Sequence, residues 1–161
     1  MTVTNLDYLA ATHAQAVISQ TKRVEKSTVE NAITKVLGVL QEQGVYACFV
    51  FALSRAKSDT DKSKDAQKSD NTEPKSMRVI VREMASLLKA LDFEVTFKES
   101  AKTYEEDAGD TLKQVAENVT KDLERLLLAK DVLEQMLIYA RYGAKARPES
   151  AEPSQPQNQG A

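Results

Sequence analysis

Few residues in this chain have the side-chain chemistry to break or make bonds. There is one histidine, His13, and one cysteine, Cys48. Nucleophilic catalysis needs a nucleophile, a base and an orienting group held together. His13 shares a helical spacing with Leu6, Leu9, Ala10 and Val17, a face on which a histidine serves to satisfy a core or interface hydrogen bond. Cys48 sits inside the apolar run 45–53, where a thiol acts as a small buried apolar side chain. A lone cysteine forms neither an intramolecular disulfide nor a cysteine-based zinc cluster. The acidic run Glu105, Glu106, Asp107 and Asp110 lacks the alternating oxygens and fixed glycine of a calcium loop. Carboxylates just ahead of a helix are also favoured by its dipole. Gly38, Gly44, Gly109, Gly143 and Gly160 are scattered singly, so no glycine loop is present to cradle a phosphate. No catalytic, cofactor-binding or metal-binding residue is expected, and the chain reads as non-enzymatic.

The basic residues are what remain. The formal charge is −2, from 22 basic and 24 acidic side chains, so contact with nucleic acid has to come from a local patch. Arg78, Arg82 and Lys89 align along one side of a helix at steps of four and seven and rank first. Arg141, Lys145 and Arg147 come next, then Arg55 and Lys57. The last two sets, like Lys22, Arg23 and Lys26, fall at expected helix C-termini, where cations also offset the negative end of the dipole.

These residues have to be positioned by helices. Glycine (5) and proline (4) are scarce, with two prolines in the final nine residues, which disfavours turn-rich β architectures. The spacing predicts a helix over 5–24, capped by Thr4 or Asn5. A second starts at a capping box formed by Ser27 and Glu30. It carries the stripe Val29, Ile33, Val36, Leu37 and Leu40, and stops at Gly44. A third is apolar over so much of its circumference, through Val45, Cys48, Phe49, Ala52 and Leu53, that a central position follows. Residues 58–76 are polar and mixed in charge, and read as a flexible surface loop. The fourth helix, 76–91, carries Met77, Ile80, Val81, Met84, Leu87, Leu88 and Leu91. Phe93, Val95 and Phe97 alternate, but an isolated strand is unstable, so 92–110 is read as a loop or short helix. A closing helical stretch, 110–147, has a stripe running from Leu112, Val115, Ala116 and Val119 into Leu123, Leu126, Leu127, Leu133 and Leu137, with a break and cap near Thr120. The tail 148–161 is Pro/Gln/Ser-rich and reads as disordered. The expectation is an all-α, single-domain bundle of five or six helices over 1–147.

The longest apolar stretch, 45–53, is about half of the roughly 20 residues a bilayer-spanning helix needs. The first fifteen residues include Asp7 and no apolar run, so a cytoplasmic location is expected, with no membrane partner.

One stretch resembles a known family. Val36-Leu37-Gly38-Val39-Leu40-Gln41-Glu42-Gln43-Gly44-Val45-Tyr46-Ala47, followed by Phe49-Val50-Phe51-Ala52-Leu53-Ser54-Arg55, is similar to the small helical subunit of type III-B (Cmr) CRISPR RNA-guided effector complexes. There, a helix ending in glycine precedes an apolar helix that closes on a serine and a basic residue. The Ala11/Ala14/Val17 helix fits, as does the closing run Ile138-Tyr139-Ala140-Arg141-Tyr142-Gly143-Ala144-Lys145-Ala146. The resemblance covers 5–57 and 110–147. It implies a non-catalytic subunit that stacks head to tail with further copies of itself, beside other effector subunits and along the crRNA–target RNA duplex. It transfers no RNA-binding residue. The small subunits of type III-A or type I complexes share that role. A stand-alone helical adaptor that binds only protein is the reading from a different class.

Overall fold

The structure, a computed structural model, describes residues 4–57, 72–98 and 103–148. Six α-helices account for most of them: α1 (Leu6–Gln20), α2 (Lys26–Gln43), α3 (Val45–Ala56), α4 (Thr72–Ala90), α5 (Tyr104–Val115) and α6 (Leu123–Ala146). No strand forms among the described residues, and the all-α bundle expected from the stripes is what the chain adopts. The predicted C-terminal tail from 149 onward, and 58–71 of the predicted loop, lie outside the described residues.

Side-chain ties fix the helix directions. Gln41 bonds Glu134 at 2.9 Å and Lys145 lies 3.6 Å from Glu30, so α2 runs antiparallel to α6. Tyr139 donates to Asp7, and Arg147 reaches Thr21, so α1 and α6 run in the same general direction. Arg78 bonds the Ala56 carbonyl while Cys48 meets Met84, which sets α4 antiparallel to α3. The core between them holds Val17, Ile33, Leu40, Phe49, Met77, Ile80, Met84, Leu88, Leu133, Met136 and Leu137, all essentially without solvent contact. It is one continuous cluster drawn from every helix, as a domain of this size requires.

The helix ends follow local chemistry more than the stripes suggested. Asn5 caps α1, its Oδ1 accepting from Tyr8 N at 3.0 Å. The capping box expected at Ser27 and Glu30 does not form: α2 already begins at Lys26, and Ser27 Oγ donates to the Glu25 carboxylate instead. A capping box forms at α5, where Thr103 and Glu106 exchange bonds. Gly44 ends α2 as predicted, with a positive φ of 94°, which a side chain would strain. The polar loop gives way to helix earlier than expected, at Thr72. Pro74 sits in that first turn, where its missing N–H would have no partner in any case.

The alternating segment 93–98 is neither strand nor helix. α4 closes through Asp92 at a φ of 60°, with Phe93 N bonding back to Leu88 O at 2.9 Å, a Schellman-type ending. Phe93, Val95 and Phe97 then point into the core. The backbone between them is satisfied by α5 and the turn that follows it. Thr96 N donates to Gln114 Oε1 (2.7 Å), Thr111 Oγ1 donates to Thr96 O (2.9 Å), and Asn118 Nδ2 donates to Glu94 O (2.7 Å). Side chains thus replace a neighbouring strand.

Between α5 and α6 the chain takes a π-helical turn, Ala116–Thr120, and breaks at Asp122, whose carboxylate caps α6 through Glu124 N and Arg125 N. The break expected near Thr120 is present, with Asp122 as the cap. Its consequence for the stripe was not anticipated. Leu123 and Leu127 are 69% and 53% exposed, not core; Leu133 and Leu137 are buried as predicted, and Ala129, Val132 and Met136 join them. No helix among the described residues is long and apolar enough to cross a membrane.

Candidate nucleic-acid interface

The basic residues divide sharply once the helices are in place. Arg147 is tied to the end of α1: its two terminal nitrogens donate to Thr21 O at 2.8 Å and Val24 O at 2.6 Å. Thr21 O also accepts from Val24 N at 3.0 Å, so the guanidinium, supplied from another helix, clamps the turn that leaves α1. Arg78 does the same for α3. Its Nε donates to Ala56 O at 2.8 Å, and its guanidinium stacks 5.4 Å from the centre of the Tyr104 ring. Tyr104 in turn donates to Leu53 O at 2.5 Å, so α3, α4 and α5 are joined through one polar cluster at the end of α3.

Arg55 lies over the Phe51 ring at 5.5 Å and 3.9 Å from Glu73. Lys57 is hydrogen-bonded and paired to Glu105, and that bond holds the Glu105 carboxyl below the usual carboxylate range. Lys145 faces Glu30. Arg141 is half-buried, with its Nε buried and without a hydrogen-bond partner among the described residues. Arg147, Arg78, Arg55, Lys57, Lys145 and Arg141 are therefore partly buried or engaged with protein groups. Arg147→Ala is expected to lower the stability by about 2 kcal/mol, two charge-assisted bonds to carbonyls being lost, with urea unfolding as the measurement. An RNA affinity that falls while stability holds would reverse that assignment.

Arg82 and Lys89 complete the set. Both are exposed on α4, and the fold brings a third cation beside them: Lys98, from the end of the extended segment. The three surround a hollow of about 170 Å³, with Ser86 and Thr96 on its walls and no acidic side chain among the described residues that line it. A site of that size takes one tetrahedral oxyanion, and flexible cations with a hydroxyl donor are the groups that bind phosphate. Next to it, Lys89 also borders a larger hollow that contains Asp92 and Glu94. Sequence spacing found Arg82 and Lys89 but not Lys98, which lies nine residues beyond Lys89 outside the helix. No one-dimensional periodicity links the two.

The predicted acidic run is dispersed by α5. Glu106 completes the capping box, Glu105 pairs with Lys57, and Asp107 is buried. Among the described residues, no three His, Cys, Asp or Glu side chains converge as a metal site would require. His13 and Cys48 are also kept apart in role. His13 Nδ1 lies 2.8 Å from Glu83 Oε2, whereas the Cys48 thiol faces Val36 O and Met84 Sδ.

Two of the apolar features that reach the surface lie along α6. One is the ridge Leu123, Leu127 and Leu128 at the start of α6. The other is a groove between α1 and α6, lined by Ala11, Ala14, Ile18 and Gly143 among others. Compared with known proteins, the chain matches no family model, and no curated protein matches it.

Proposed function

We propose that this chain is a non-catalytic helical subunit of an RNA-guided effector of the type III-B CRISPR kind, supporting assembly and holding the backbone of the guide–target RNA duplex. The observation that carries this reading is the cationic hollow of Arg82, Lys89 and Lys98. Positive side chains that bind phosphates supply affinity without reading sequence, which is what a subunit lying along a duplex of arbitrary sequence needs. The sequence resemblance over 5–57 and 110–147 names the kind of assembly. The exposed leucine ridge is the feature that favours the adaptor reading, in which the chain binds protein alone. Type III-A and type I small subunits are the related assignments.

The test is filter binding of a guide–target duplex to the assembled complex. Replacing Arg82, Lys89 and Lys98 together by alanine is expected to weaken binding about tenfold at moderate salt and to flatten the salt dependence by roughly two units of slope. An unchanged affinity and an unchanged slope would remove RNA from the proposal and leave the adaptor. Adjacent CRISPR arrays and a large polymerase-like subunit in the genomic neighbourhood would favour the effector subunit over the adaptor.

A further inference from the structure

The cationic hollow does not end at Lys89. Lys89 and Thr96 also border the larger hollow beside it, of about 410 Å³, with Asp92, Glu94, Gln114 and Asn118 on its other walls. The two hollows share a rim, and their linings differ in kind: one is basic, the other acidic and rich in amides. The alternation along 93–98 builds this order. Phe93, Val95 and Phe97 are buried, which leaves Glu94, Thr96 and Lys98 on the outer face as acid, hydroxyl and cation. Each step of two residues advances the chain about 6 Å. α4 supplies the facing row of Arg82, Ser86 and Lys89, and closes on Asp92.

The amides of the larger hollow are set by the bonds they already make. A backbone N–H can only donate, so the Gln114 atom that meets Thr96 N at 2.7 Å is the oxygen. Its Nε2 hydrogens remain to donate. Asn118 is turned the other way: Nδ2 donates to Glu94 O at 2.7 Å, and Oδ1 remains to accept. Asn118 stands on the π-helical turn, an irregularity frequent at functional sites. Two carboxylates, an amide oxygen and an amide NH2 in one hollow suit a ligand whose groups both donate and accept. Hydroxyls do both.

We propose that the two hollows form one site for a ribose phosphate, with the phosphate between Arg82, Lys89 and Lys98 and the sugar hydroxyls, the 2′-hydroxyl among them, against Asp92 and Glu94. The inference rests on reading the smaller hollow as the seat of an RNA phosphate, and it adds the group that sets RNA apart from DNA. In a duplex the 2′-hydroxyls stay open along the shallow groove. The base lies outside both hollows, so sequence goes unread.

NMR titration of the isotope-labelled full chain tests this, with a short oligouridylate and the oligodeoxyuridylate of equal length, which differ only at the 2′-position. The ribose oligomer is expected to bind about fivefold more tightly, the effect of a hydrogen bond to a partly exposed charged acceptor. It should also move the side-chain amide signals of Gln114 and Asn118, which the deoxy oligomer leaves in place. Asp92→Gly with Glu94→Ala removes both carboxylates, and glycine accepts the φ of 60° at Asp92. With two negative charges gone, both oligomers should bind this variant more tightly, while the preference for ribose disappears. Circular dichroism checks that its helices persist. Equal affinity of the native chain for the two oligomers, or binding of neither, overturns the inference, as does a ribose preference that survives in the variant. Ribose 5-phosphate binding as tightly as the oligouridylate would keep the sugar site and overturn RNA as its source. Alanine replacement of Arg82, Lys89 and Lys98 in the assembled complex separates the two readings: if duplex binding falls there while the oligomers bind equally, only the sugar contact is lost.

Discussion

Glu83→Ala is expected to destabilise the protein by about 2 kcal/mol, the loss of two bonds to a buried carboxylate, one of them from a half-buried ring. Glu83 stands on α4 between Arg82 and Met84, yet its side chain is turned inward and only 8% of the residue is exposed. One oxygen meets His13 Nδ1 at 2.8 Å, and the other accepts from Gln20 Nε2 at 2.8 Å. Both partners belong to α1, so a single carboxylate closes the polar part of the α1–α4 contact. Removing it leaves the half-buried His13 ring without its partner, while the Gln20 amide, exposed at the end of α1, turns to water. Glu83→Gln keeps the shape and one acceptor, so its loss should be about 1 kcal/mol, near that of one ordinary hydrogen bond. Urea unfolding of Glu83→Ala, His13→Ala and the double variant would give a coupling energy of about 1–2 kcal/mol for groups in direct contact. Additive losses would show that His13 and Glu83 merely sit side by side.

That cluster also shows where sequence reasoning stops. A hydrogen-bonding role for His13 was legible because a histidine on an apolar stripe has few other uses. Its partner was not, since Glu83 reads from spacing as a surface acid offsetting Arg78 and Arg82. The stripes of α2, α3 and α4 predicted their buried residues well, because each helix keeps one phase from end to end. The stripe before α6 failed at Leu123 and Leu127 for a definite reason. The π turn at Ala116–Thr120 adds a residue to its turn, and the break at Asp122 resets the phase, so leucines in register with Val115 and Val119 rotate outward. Caps misled in both directions. Ser27 and Glu30 have the right spacing, but the chain enters the helix two residues earlier, at Lys26 with Glu25 as the cap; Thr103 and Glu106 lay hidden behind the alternation of Phe93, Val95 and Phe97. Among the basic residues, the roles of Arg78 and Arg147 depend on the carbonyls of Ala56, Thr21 and Val24. Those acceptors are distant in sequence, and only the fold brings them within reach.

Cys48 gives the second large effect, and it appears only in alkaline solution. Its thiol is fully buried, and burial pushes its pKa from 9.0 up to about 12, since a thiolate would have no solvation there. The sign follows from proton counts. Below pH 9 the folded and unfolded chains both hold the proton, and Cys48 adds no pH dependence. Between about 9 and 12 the unfolded chain releases it while the folded chain keeps it, so stability falls as pH rises. The slope is about 1.4 kcal/mol per pH unit, reaching a loss of about 4 kcal/mol once the folded thiol ionises too. Urea unfolding at pH 8 and pH 10.5 should therefore show wild type losing about 2 kcal/mol more than Cys48→Ala over that interval, the comparison cancelling the tyrosines and lysines common to both. The same burial makes Cys48 a reporter of opening: iodoacetamide should label it only as fast as the α3–α4 interface exposes it, and at once in denaturant. Equal alkaline losses in the two proteins, or rapid labelling of the native chain, would place the thiol near solvent and α3 away from the centre of the bundle.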